Sequence, residues 1–142
     1  MNKLLVLGAM GFSLIATSMA HASCDDLTIV ITNTTTNGCS LTQQNLKHGY
    51  FPYYYFAPTY IKASEAVATL VAQNFYGPEL ELTYSCGEGK SITINSQQNW
   101  SFLSAGDVHG QIVNATSMSA DFQVVNGSCF NSQPGQLLWK LK

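Results

Sequence analysis

Arginine is absent from this chain, and only 10% of its 142 residues are charged, for a formal net charge of −2. From Ser23 onward the basic residues are Lys47, Lys62, Lys90, Lys140 and Lys142, set against Asp25, Asp26, Glu65, Glu79, Glu81, Glu88, Asp107 and Asp121. Nucleic acid is thereby excluded as a partner, because its binding depends on neutralising phosphates with Lys and Arg and on arginine forks to guanine. A bilayer-spanning run is missing too: the longest apolar stretch, Leu4 to Ile15, falls short of the roughly 20 residues a membrane core requires. Paired CxxC spacing, a calcium loop of the D-x-[DN]-x-[DN]-G kind and a nucleophile elbow are likewise absent, so neither a metal nor a cofactor is expected.

What the N-terminus does contain is an address. Lys3, the apolar run from Leu4 and the small-x-small site Ala20-His21-Ala22 form a secretory signal peptide over residues 1–22, so the mature chain is expected in the periplasm or outside the cell. Lipidation at Cys24 is disfavoured, because His21 stands where a lipoprotein site wants a branched apolar residue. Residues 23–142 suffice for one domain with one core. In an oxidising compartment the even set Cys24, Cys39, Cys86 and Cys129 reads as two disulfides with three possible connectivities. Cys24 with Cys39 and Cys86 with Cys129 is the expected pairing.

An apolar content of 46% gives the chain enough to bury, and the apolar residues fall in short alternating runs. Leu27-Thr28-Ile29-Val30-Ile31-Thr32 is β-branched and stops at Thr36-Asn37-Gly38, with Leu27, Ile29 and Ile31 inward. Ala66 to Phe75 reads as a strand ended by Gly77-Pro78. Glu79 to Tyr84 alternates strictly, and Gly87-Glu88-Gly89-Lys90 turns it into Ser91-Ile92-Thr93-Ile94 as a hairpin. Further strands are expected at Val108 to Val113, Ala120 to Val125 and Gln136 to Leu141. About seven or eight short strands at this spacing define an all-β fold, a single antiparallel sandwich or a closed barrel.

Most motifs that suggest chemistry have a plainer explanation. Gly87-Glu88-Gly89-Lys90-Ser91 echoes a phosphate loop, but its first glycine would fall at Tyr84 and a strand follows where a helix is needed. Asp107 and His109, with Ser104 near, are the only nominal hydrolase constellation, and no oxyanion loop accompanies them. His48 and His109 are too few for a structural zinc site. Asn33, Asn99, Asn114 and Asn126 head formal glycosylation sequons, of little weight in a chain so rich in Asn, Ser and Thr.

One segment stands out: Tyr50-Phe51-Pro52-Tyr53-Tyr54-Tyr55-Phe56-Ala57-Pro58-Thr59-Tyr60. In extended chain Tyr53 and Tyr55 face opposite to Tyr54 and Phe56, so some of these rings must be exposed unless a second layer covers them. Pro52 and Pro58 direct the segment to an edge or a loop. Such rings can lie at a membrane interface, box a quaternary ammonium or stack on a sugar, with Tyr50, Tyr53, Tyr54, Tyr55, Phe56 and Tyr60 as the candidate ligand contacts. The structural alternative is that they close the open edge of a small sandwich.

Ile29-x-Ile31-x-Asn33-x-Thr35, Gly49-Tyr50-Phe51, Ile61 and the terminal Gly135-x-Leu137-x-Trp139-x-Leu141 together resemble the aegerolysin and actinoporin-like β-sandwiches, and also small exported proteins of intracellular Gram-negative bacteria. The resemblance implies a secreted, non-enzymatic sandwich that recognises a lipid head group or a host surface through loops at one end, a design that suits an exported effector. A glycan- or protein-binding module is the alternative on the same aromatic ledge. Two departures argue against pore formation by this chain alone: no amphipathic helix precedes the first strand, and the mature chain is acidic where actinoporins tend to be basic.

Overall fold

The computed structural model describes residues 23–101 and 104–142, so the signal peptide expected over residues 1–22 lies outside the described residues. The described elements are β1 (Leu27–Asn33), β2 (Cys39–His48), β3 (Tyr60–Ile61), β4 (Ala66–Val71), β5 (Glu79–Ser85), β6 (Ser91–Gln98), β7 (Val108–Thr116), β8 (Ala120–Val125) and β9 (Gly135–Leu141). They form two sheets, ordered β4-β1-β9-β8 and β3-β2-β5-β6-β7. Every pairing is antiparallel except β1 with β9, which run parallel from Leu27↔Gly135 to Asn33↔Leu141, so the sandwich is not antiparallel throughout.

Alternation in the sequence becomes the core. Leu27, Ile29 and Ile31 of β1 and Leu137, Trp139 and Leu141 of β9 face Leu80, Leu82 and Tyr84 of β5 and Ile92 and Ile94 of β6, all fully buried. Side chains of period two on each strand put one row into the interface and the next outside, so Glu79, Glu81 and Thr83 remain on the outer face. The β5–β6 hairpin forms where expected: Cys86 N–H donates to Lys90 O at 3.0 Å and Lys90 N–H to Gly87 O at 3.2 Å. Gly87 and Gly89 adopt φ of +114° and +65°, which a side chain would strain. The phosphate-loop echo is therefore a turn.

Two expectations require correction, and two strands, β2 and β3, were not expected at all. The stretch expected as one strand from Ala66 to Phe75 ends at Val71, and Phe75 itself sits at φ 70°, outside any strand geometry. β2 and β3 carry no apolar alternation: β2 exposes most of its length and is a strand because its backbone pairs with β5, through two register shifts. The disulfides are Cys24–Cys129 and Cys39–Cys86 rather than the sequential pairs. Cys39 opens β2 and Cys86 follows β5, and the neighbouring pair Ser40↔Ser85 brings them together with Cα atoms 4.0 Å apart. Cys24 precedes β1 and Cys129 precedes β9, whose parallel starts place them 4.9 Å apart at the other end. Cys24 and Cys39 thus belong to opposite ends of the sandwich.

That end-to-end polarity organises the surface. The segments 49–59, 72–78, 99–101 and 126–134 all leave strands at the end where β1 starts, and 104–107 enters β7 there, whereas 34–38, 62–65, 86–90 and 117–119 lie at the opposite end.

Candidate functional site

The aromatic segment is a strap rather than a loop at one end. It starts at Tyr50, whose backbone bridges Ala72 beyond β4, and finishes at Tyr60, which pairs with Ser40 at the far end of β2. Between these points it covers the side of the sandwich where β3 and β4 are the sheet edges. Ala57 is buried in the core and Phe51 packs against it, and Pro58 O accepts the Tyr84 hydroxyl at 2.8 Å. Leu41 N–H donates to Thr59 O at 2.8 Å, fixing the strap's exit. Burial pushes the Tyr84 phenol well above its ordinary pKa, so it remains a donor.

With those anchors inward, all the remaining rings but Tyr55 are exposed to solvent. Tyr53 and Tyr54 are 74% and 92% exposed, at the tip of a turn closed by Tyr55 N–H to Pro52 O at 3.1 Å. Tyr53 holds φ 55°, a strained region for an aromatic residue. Phe56 is exposed and leans on Phe51 with ring centroids 6.3 Å apart, and Tyr55 is half-buried. Tyr50 and Tyr60, at the two ends, are exposed as well, and Tyr60 lays its hydroxyl where a Cβ on Gly38 would stand. The strap therefore both closes the edge and displays rings, and the six candidate residues do not converge on one point.

A second aromatic site went unrecognised in the sequence. At the end where β1 starts, Phe75, Tyr76 and Trp100 border an open groove of about 470 Å³. Gly77 lies so close to the next loop that an added Cβ would stand 1.8 Å from Gln98 O and 2.8 Å from Trp100 N, and Gln98 N–H donates to Pro78 O at 3.0 Å. Close backbone packing thus holds the two aromatic loops side by side. Tyr76 stacks on His48 with centroids 5.5 Å apart, and Phe75 is 86% exposed. The groove's polar wall is Glu79, Gln97 and Asn99. Glu79 Oε1 accepts from Lys47 Nζ and from Asn95 Nδ2, each at 3.1 Å. Lys47 also reaches Glu81 at 3.1 Å, and these two carboxylates raise its pKa. The sequence signal was Phe75-Tyr76-Gly77-Pro78, an aromatic pair before a turn, and Asn99-Trp100-Ser101, which reads only as a sequon.

The nominal hydrolase residues do not assemble. Asp107 takes part through its carbonyl, accepting from Asn99 N–H at 2.9 Å, while His109 Nε2 meets Asn99 Nδ2 at 3.1 Å and Ser104 Oγ meets Ser101 Oγ at 3.1 Å. Serine and histidine are thus each paired outside the trio, with Ser101 and Asn99 as their respective partners rather than one another, so the relay a triad needs is not formed. Among the described residues no group of three or more His, Cys, Asp and Glu side chains could hold a metal.

The architecture is that of a two-sheet β-sandwich with known counterparts. Solved structures sharing it include the lipid binding protein Nakanori (TM-score 0.65, 9% identity, covering 82% of this chain and 70% of that one). RahU protein, solved in complex with a Tris molecule, superposes with TM-score 0.64 at 10% identity over 84% of this chain and 96% of its own. IP-1A from Alcaligenes faecalis gives 0.56 at 16% identity over 87% and 94%. At these identities the likeness is one of fold. No family model matches the chain, and no curated protein matches it in sequence.

Proposed function

We propose that this protein is an exported, non-enzymatic binding protein of the aegerolysin and actinoporin-like kind that attaches to a lipid membrane surface through the strap. The observation that carries the reading is the exposure of Tyr53, Tyr54 and Phe56 on a segment whose ends and middle are pinned to the core. Tyrosine combines an apolar ring with a polar tip and favours the head-group level of a bilayer, and a strap held in place loses little entropy on binding. The fold shared with a lipid binding protein supports the same reading. Export is supported by the leader sequence at residues 1–22 and by two disulfides that suit an oxidising compartment.

Co-sedimentation of the oxidised protein with liposomes of varied head group tests this. Head-group-dependent binding, lost in a folded Tyr53→Ser, Tyr54→Ser, Tyr55→Ser variant, is the expected result. No binding to any composition overturns the lipid reading, and unfolding of the variant would make the rings structural.

A further inference from the structure

We infer that the groove between Phe75, Tyr76 and Trp100 is a second binding site, separate from the strap, and that it takes a neutral sugar ring. Three solvent-exposed aromatic residues border a wall of planar polar groups there, Gln97, Asn99 and Glu79, in a space of about 470 Å³. Sugars present apolar C–H faces that pack on aromatic rings and equatorial hydroxyls that need paired donors and acceptors, which amides and a carboxylate supply together. The volume lies within the range of small-ligand clefts, roughly 300 to 1,000 Å³.

Charge decides against the other small head groups. A phosphate calls for arginine or lysine, and the chain has no arginine. Lys62, Lys90, Lys140 and Lys142 all lie towards the opposite end of the sandwich, while Asp25, Asp26, Glu79 and Asp107 lie at the groove's end. Lys47, the one lysine near the groove among the described residues, is held between Glu79 and Glu81. An anion would therefore enter a field of its own sign. A quaternary ammonium is boxed by rings closing on it from several sides, whereas one face of Tyr76 is already stacked on His48, and the lining carboxylate Glu79 is already paired with Lys47. A neutral polyol meets neither obstacle.

The two tryptophans, Trp100 and Trp139, make the inference directly readable. Trp139 is buried and hydrogen-bonded to Ser96, so a ligand entering the groove changes the emission and acrylamide quenching of Trp100 alone. The oxidised protein is titrated with methyl glycosides of glucose, galactose, mannose and N-acetylglucosamine, with phosphocholine, and with choline chloride. Phosphatidylcholine vesicles with and without galactosylceramide separate a free glycan from a glycolipid head group. Saturable protection of Trp100 by at least one glycoside or by the glycolipid vesicles, weakened roughly tenfold or more by Tyr76→Ala and by Gln97→Ala, is expected. Tyr53→Ser with Tyr54→Ser should leave sugar protection intact, so failure of the strap reading and failure of this one are distinguishable. Protection by phosphocholine or choline without any sugar, or no protection by any probe, overturns the assignment. Equal sugar binding by the groove variants, confirmed folded by circular dichroism, overturns it as well.

Discussion

The indole N–H of Trp139 donates to Ser96 Oγ at 2.9 Å, joining β9 of one sheet to β6 of the other through the buried centre of the sandwich. Both groups are removed from water, so each depends on the other for its hydrogen bond. Ser96→Ala leaves a buried N–H without its acceptor and should cost about 1–3 kcal/mol in urea unfolding. Trp139→Phe should cost more, because it also leaves a cavity. The double variant should lose less than the two single losses added together, and strict additivity would show that the bond contributes nothing.

Cys24–Cys129 and Cys39–Cys86 close sequence separations of 105 and 47 residues. Replacing either pair by alanine should lower stability by about 2–5 kcal/mol, with the larger loss for Cys24–Cys129 if chain entropy governs. Peptide mapping of the unreduced protein checks the pairing itself: a fragment joining Cys24 to Cys39 would contradict it.

Asp25 has a raised pKa, chiefly through burial and secondarily through the neighbouring Asp26, and its Oδ1 is buried without a partner. A carboxyl whose folded pKa lies above its unfolded value, 3.8, favours the native state most below that value. That advantage is lost as pH rises through the folded pKa, so the ionised group is a liability at neutral pH. Asp25→Asn should therefore raise the thermal midpoint at pH 7 and leave it unchanged near the acid end, below the unfolded pKa. A midpoint that falls at pH 7 would mean that the charge has a partner in solution.

Asn33 is fully buried, and its Nδ2 lies 2.8 Å from Asn37 O and 3.2 Å from Ile61 O and Lys62 O. Its Oδ1 accepts from Thr35 N–H at 2.9 Å and Thr35 Oγ1 at 2.7 Å. One side chain thus ties the end of β1 to the following turn and to the exit of β3, which makes its glycosylation sequon a structural feature of the fold. Asn33→Ala should cost about 2–4 kcal/mol, measured by denaturant unfolding, and a loss within 0.5 kcal/mol would refute this network.

Amino-acid sequence by itself determined the parts of this protein that rest on local rules. The hairpin at Gly87 to Lys90 follows from turn chemistry, and the inward rows Leu27-Ile29-Ile31, Leu80-Leu82-Tyr84 and Ile92-Ile94 follow from period-two alternation, because one buried face permits only one register. The prominence of the tyrosine segment was legible too, but alternation did not divide its rings: Tyr53 and Tyr54 are both displayed because a turn with Tyr53 at φ 55° replaces extended chain there. Tertiary structure alone decided what depends on distant partners. β2 is a strand because β5 lies beside it, although residues such as Thr42, Gln43, Gln44 and Asn45 carry no apolar alternation. Cysteine pairing followed strand adjacency, with parallel β1 and β9 uniting Cys24 and Cys129 from nearly opposite ends of the chain. Phe75, Tyr76 and Trp100 form a groove only because Gly77 lets two loops approach within backbone contact, a distance that no local pattern encodes.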